Sequence, residues 1–517
     1  RAEDVRQLQS LAVQQGSATW GLWGPNPDKY SSWTSHSNRL IPLYAFGMDL
    51  STVRGANSLY RDLDRIRALY GYEPEGTLNP SAEYFDQTDV YRLQRKAADE
   101  GKSCIVLIVF DGMDWQTSWA AAIWKGKKVG YREGRGTGLQ FQDYRGCSTD
   151  FGYFVTSPFV EGTSVDVNQQ QIATAGNLRG GYNAGFGGSA PWSSIRDPIY
   201  PIGKGANLKH AYTDSAASAT SLTCGIKTYN DAINVDAFGR QATPIARQLQ
   251  QEGFAVGVVT SVPISHATPA CAYANNVHRD DYQDLSRDLL GLPSISHYPA
   301  PLPGVDVLLG AGWGETKDKD GSQGRNFVPG NRYLTASDLE EIGAADQGKY
   351  HVCQRTAGKP ARSILTEAVA SATSNHRRLF GFFGVKGGHL PFQTADGKFD
   401  PTISVGQNPQ AEVYSPADIS ENPTLAELSV AALDVLSSRA NRMWLLVEAG
   451  DVDWANHQNN IDNSIGAVLS GDAAFQAVAA WIEKNVGWEK SVVLLTADHG
   501  HYLVLEQPEV LAESSAE

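Results

Sequence analysis

Five short apolar runs, each closed by polar or charged residues, limit the folds open to this chain. Residues 104–110 end in Asp111, and residues 255–259 end in Thr260 and Ser261. Residues 379–385 end in Lys386 and Gly387, 443–447 in Glu448, and 492–495 in Thr496, Ala497 and Asp498. Apolarity that is continuous rather than alternating marks burial on both faces, the condition of parallel strands. Helical stretches at 243–251, 363–372, 425–440 and 472–485 separate these runs. The alternation predicts an α/β chain with a three-layer, doubly wound, mostly parallel central sheet and helices on both faces. Ligands of such sheets gather at the carboxyl ends of the strands, which is where the acids of this sequence fall.

Two tracts interrupt the series. Residues 116–208 are rich in Gly, Trp and Tyr, and residues 285–360 mix Pro, Gly and charge. Neither holds a sustained period, so both are read as long loop-rich insertions beside the active-site face, shaping substrate access or a subunit contact. Their frequent aromatics argue against a disordered linker. Residues 1–100 are polar and uneven, with helical periodicity at about 58–70 and 84–100. They read as an N-terminal elaboration leading into a catalytic domain over 101–517.

The 57 acidic and 43 basic residues leave a formal charge of -14. That balance argues against a nucleic-acid or anionic-membrane surface and suits a protein that spends carboxylates on cations. No apolar run reaches the ~18 residues of a membrane span. The five cysteines include no CxxC pair, which argues against a thiolate zinc site, and they are too few for a disulfide scaffold.

Residues 211–230, AYTDSAASATSLTCGIKTYN, place Asp214 and Ser215 before a run of small residues. Such a run packs closely as a helix start, where free N–H groups and the helix dipole hold an anion. Asp and Ser are also ordinary helix caps, so this stretch alone does not decide. Other chemistry-bearing residues stand just past strand ends: Asp111 in VFDGMDW, His266 and Thr268 in SHATP, and Arg279 in NNVHRDDY. Glu448, Asp451, Asp453 and His457 lie in VEAGDVDWANHQ, and Asp498, His499 and His501 in TADHGH. Each alone has a plain structural explanation, such as a turn or a surface ion pair. As a set drawn from several strand ends they fit a cluster of divalent metals, with His and Asp suited to zinc and all-oxygen positions to magnesium. Asp453 and His457, four apart, share a face if their stretch is helical.

On these segments the chain resembles the alkaline phosphatases. TDSAASAT followed by GIKTYN is close to the family's nucleophile segment and highly specific. SHATPACAYANNVHRD, VEAGDVDWANH and TADHGH follow in the family's order. The resemblance implies metal-dependent hydrolysis of phosphate monoesters at alkaline pH, through a phosphoserine on Ser215 and with Arg279 clamping the phosphate. It implies two Zn2+ and one Mg2+ per chain. Asp111, Asp498 and His499 would hold the zinc beside the serine, Asp453 and His457 the zinc beside the leaving oxygen, and Asp111, Thr268 and Glu448 the magnesium. His266 and Trp454 occupy positions that vary in the family and tune metal preference and phosphate contacts. Export to the periplasm or outside the cell, and a homodimer, are further implications.

One departure stands out. The family usually supplies a second histidine to the leaving-group zinc from a segment well after TADH, and no such segment follows His501 here. Three alternatives stand open: a truncated chain, a zinc with fewer protein ligands, or another histidine, with His210 and His389 as candidates; His501 is expected to hydrogen-bond a ligand carboxylate. Phosphodiesterases and sulfatases of related architecture are the competing reading. The missing CxPxR context, the serine and Arg279 favour monoesters.

Overall fold

The computed structural model describes residues 4–203, 210–344, 348–400, 402, 405 and 411–514. Its centre is a ten-stranded sheet. In spatial order the strands are Tyr350–Gln354, Arg378–Phe382, Val307–Ala311, Ala255–Pro263, Met443–Ala449, Cys104–Phe110, Ser491–Thr496, Ile41–Phe46, Thr149–Val155 and Phe85–Asp86. From the first of these to Ser491–Thr496 every pair is parallel, and Ile41–Phe46 alone runs against both its neighbours. Cys104–Phe110, Met443–Ala449 and Ser491–Thr496 are buried along their whole length, as their unbroken apolarity requires.

Helices cover both faces. Leu425–Arg439 opens with a reciprocal cap in which Thr424 accepts from the Glu427 N–H and the Glu427 carboxylate accepts from the Thr424 N–H. It packs on Ala255–Pro263 and against the long Ile461–Asn485 helix. Among the described residues, Ile461–Asn485 alone is long and apolar enough to cross a membrane, but 67% of its most apolar stretch is buried in the protein. It is wedged between Leu425–Arg439, Asp451–His457 and Trp115–Gly126, as a core helix is.

Register puts the reactive strand ends on one level. Glu448 lies opposite both Val109 and Thr260, and Thr496 is also opposite Val109. Asp111 and Asp498, each two residues further on, therefore leave the sheet side by side, just past the level of Glu448.

Three of the sequence-drawn tracts contribute strands to the central sheet. In the N-terminal elaboration, Ile41–Phe46 hydrogen-bonds to Ser491–Thr496 inside the main sheet, and Phe85–Asp86 forms its edge. The 285–360 tract is not all loop, because Val307–Ala311 is a fully buried inner strand and Tyr350–Gln354 closes the opposite edge. The 116–208 tract likewise gives the sheet Thr149–Val155, beside two small two-stranded antiparallel sheets. Short strands set among Gly, Pro and charge carry too few residues to display a period.

Candidate active site

A cleft of about 640 Å³ opens above the aligned strand ends, lined by Ser215, Arg279, Asp453, Trp454, His457 and His36 among others. Ser215 is the first residue of the helix Ser215–Cys224. Asp214 caps that helix by accepting from the Ala217 N–H at 2.9 Å. Its other oxygen accepts from the Asp231 N–H at 3.0 Å and from Arg279 Nη1 at 2.9 Å. One carboxylate thus fixes the helix start and aims the guanidinium. Arg279 is held firmly charged: burial opposes the charge, but Asp214, Tyr282, Asp231 and Asp280 outweigh it.

Beside Ser215 lies a first donor group. Ser215 Oγ is 3.1 Å from His499 Nε2 and 3.4 Å from Asp111 Oδ1. His499 Nε2 is in turn 3.2 Å from Asp111 Oδ1 and 3.5 Å from Asp498 Oδ2. Four donors around a tetrahedral zinc, each at about 2.0–2.1 Å, stand about 3.3 Å apart. These separations match that figure, with the serine oxygen at the fourth corner. Asp498 and His499 lie just past the end of Ser491–Thr496, free of the strand alternation that would point them apart. Asp498 Oδ1 accepts from the Gly112 and His499 N–H groups, which leaves Oδ2 without a protein partner.

A second donor group gathers around Asp453 Oδ1. The helix Asp451–His457 puts Asp453 and His457 on one face, with His457 Nε2 at 3.4 Å from that oxygen. His501 Nε2 is 2.6 Å away and His36 Nε2 3.7 Å. Gly112 makes this crowding possible: its φ is +72°, and a Cβ there would stand 2.8 Å from the His501 ring.

Glu448 and Thr268 form a third, all-oxygen group. Thr260 donates to Glu448 Oε2, while Glu448 Oε1, Thr268 Oγ1 and Asp111 Oδ2 are buried without a protein partner.

The electrostatics explain why these groups need a cation. Burial, then the neighbouring Asp498, Asp453 and Glu448, push Asp111 far above the usual carboxylate range. Burial lifts Glu448 to about 8, with Asp498 adding to the rise and the Thr260 bond opposing it. Burial also works against the Asp453 anion, but His457, His501 and His36 outweigh it and hold its pKa well below the usual range. Three of the imidazoles are kept neutral. Burial lowers His36 far below its ordinary value, lowers His266 to about 3, and lowers His501 to about 4 against the pull of Asp453. Neutral imidazoles, crowded carboxylates and unsatisfied buried oxygens are the donor set that divalent metals fit.

A family model, alkaline phosphatase, matches residues 160–513. The chain belongs to the alkaline phosphatase family. It is 26% identical to alkaline phosphatase 4 of Bacillus subtilis over 56% of this chain and 49% of that protein. It is also 26% identical to the alkaline phosphatase of Escherichia coli over 60% of this chain and 63% of that protein. The chain thus spans from about half to under two thirds of the length of these relatives. The structure of a cold-active alkaline phosphatase from Shewanella sp. aligns at 20% identity with a TM-score of 0.44, covering 77% of this chain and 68% of that one.

Against the alkaline phosphatase pattern, the sequence-chosen residues fall as follows. Ser215, Arg279, Asp453 and His457 line the cleft, and Asp111, Asp498 and His499 lie beneath it next to Ser215. Thr268 and Glu448 are buried, each with an unpartnered oxygen. Neither candidate substitute histidine joins a donor group. His210 Nε2 is bound to the Tyr200 carbonyl, and its ring lies against that of Tyr200, with centroids 4.1 Å apart. His389 is spent on the Leu390 carbonyl and, at 3.0 Å, on Glu412. Sequence reasoning missed His36, Thr260 and the positioning role of Asp214. Thr260 was visible as the end of an apolar run. His36, in the polar stretch SHSNR, carries no local signal.

Proposed function

We propose that the protein is a metal-dependent phosphomonoesterase working through a phosphoserine on Ser215. The observation that carries this reading is Ser215 Oγ at 3.1 Å from His499 Nε2 and 3.4 Å from Asp111 Oδ1, at a helix start and beneath Arg279. Two zinc ions and one magnesium ion per chain are the expected complement. Asp111, Asp498 and His499 would hold one zinc, Asp453 and His457 the other, and Asp111, Thr268 and Glu448 the magnesium. When bound, these ions lower the proton affinity of the serine hydroxyl and neutralise the negative charge that repels a nucleophile from a phosphate dianion.

The chain's own residues supply the rest. Arg279, braced by Asp214, binds the phosphate oxygens and orients phosphorus toward Ser215. The free N–H groups at the start of Ser215–Cys224 face the same anion. Ser215 Oγ forms a bond to phosphorus as the ester oxygen leaves with the alcohol. Water then forms the second bond to phosphorus, the Ser215 Oγ–P bond breaks, and inorganic phosphate departs. Two in-line displacements retain configuration at phosphorus.

Ser215→Ala tests the reading directly. Release of p-nitrophenol from p-nitrophenyl phosphate is expected to fall at least about 1,000-fold in the variant, and turnover at the wild-type rate would remove Ser215 from the mechanism. Family membership also supports a periplasmic or extracellular homodimer, which cell fractionation and light scattering check.

A further inference from the structure

We infer that His36, delivered by the loop 31–39, is a third protein ligand of the metal position built around Asp453 and His457. The inference rests on the metal-dependent reading above and assigns a residue to it that lies far outside the 160–513 span of the family model.

Three donor atoms converge at this position. His36 Nε2 is 3.1 Å from His457 Nε2 and 3.7 Å from Asp453 Oδ1, and His457 Nε2 is 3.4 Å from the same oxygen. This triangle has the edge lengths of one face of a tetrahedral zinc site, about 3.3 Å. Tautomers support it. His457 Nδ1 lies 2.6 Å from the Thr34 carbonyl, which can only accept, so Nδ1 carries the proton and Nε2 presents its lone pair. The loop therefore does two things: Thr34 orients one histidine ligand and His36 supplies another.

The loop is also built to stay in place. Asn459 donates to Ser31 Oγ at 2.7 Å and to the Trp33 carbonyl at 3.0 Å, and Trp33 Nε1 donates to the His36 carbonyl at 2.9 Å. Ser37 pairs with Gly500 through the backbone and donates its hydroxyl to the His501 carbonyl at 2.6 Å. Arg39 is buried against Asp114 at 2.9 Å. These anchors tie His36 to both segments that carry the other donors. His501, at 2.6 Å from Asp453, has its Nε2 spent on the carboxylate and acts as a positioning residue.

The test is metal binding, read independently of turnover. Metal-free wild type, His36→Ala and His36→Gln are titrated with zinc for stoichiometry and with Co2+ for its visible absorption. Both variants are expected to lose one tight equivalent, with affinity at that position falling at least about 100-fold, while the equivalent beside Ser215 remains. Imidazole added to His36→Gly is expected to restore the lost Co2+ band. Retention of both equivalents at wild-type affinity by the folded Gln variant overturns the assignment. If wild type binds both zinc ions without cleaving p-nitrophenyl phosphate, the functional reading fails, while a His36-dependent loss of zinc still supports the ligand.

Discussion

The two histidine-bearing donor groups of the cleft are assembled in opposite ways. The group beside Ser215 draws Asp111, Asp498 and His499 from the ends of two adjacent parallel strands, where sheet register alone sets their spacing. The group around Asp453 draws on one helical turn and on a loop more than four hundred residues away in sequence, and its geometry depends on tertiary anchors. One is a product of secondary structure and the other of chain closure. The first should tolerate loss of its neighbours, and the second should fail in parts.

The sharpest break in that contrast is Asp111→Asn, which keeps the shape and replaces a carboxylate that stands between the Ser215 group and the Glu448 group. kcat/KM is expected to fall at least about 1,000-fold, while a zinc titration still fills the Asp453 position. Loss of both zinc equivalents would show that the two positions are one cooperative unit.

Metal removal gives the next largest effect. In the metal-free protein Glu448 holds its proton to about 8, whereas its ordinary value is 4.5. Between those values the unfolded chain has released the proton and the folded protein still holds it, so the folded state loses ground as pH rises. Below the ordinary 6.5 of histidine the depressed His36, His266 and His501 act the other way, so melting of chelator-treated protein should weaken between about pH 7 and pH 8, by on the order of 1 kcal/mol. Zinc and magnesium should flatten the slope. A metal-free protein equally stable at both ends would show that the acids are not crowded.

A smaller effect separates the two groups. His501→Gln leaves Asp453 without its 2.6 Å partner. Zinc affinity at the Asp453 position should fall about 10- to 100-fold, with the Ser215 side unchanged in a competition titration. The smallest effect belongs to Thr260→Val, which deletes the donor to Glu448 Oε2. A loss of about 1 kcal/mol in magnesium binding or thermal stability is expected, measured by titration calorimetry and melting.

The same contrast explains what could be read from the sequence. The inner strands and the reactive ends of Cys104–Phe110, Met443–Ala449 and Ser491–Thr496 were legible because burial on both faces writes an unbroken apolar run. Asp453 and His457 were legible because helical spacing relates them. The Val307–Ala311 strand was lost inside a Pro- and Gly-rich tract, and Ile41–Phe46 in a polar one, since runs of this length carry little periodicity. His36 could not be read at all. Its chemistry exists only where Ser37 meets Gly500, and the neighbours of His36 in sequence record nothing of that meeting.

The pairing of Ser37 with Gly500 also joins two stretches of chain more than four hundred residues apart. A product cut between them, however well its first strands pack, lacks Asp498 and His499, and one clipped just before Ser37 lacks His36. The cleft is whole only where both stretches meet.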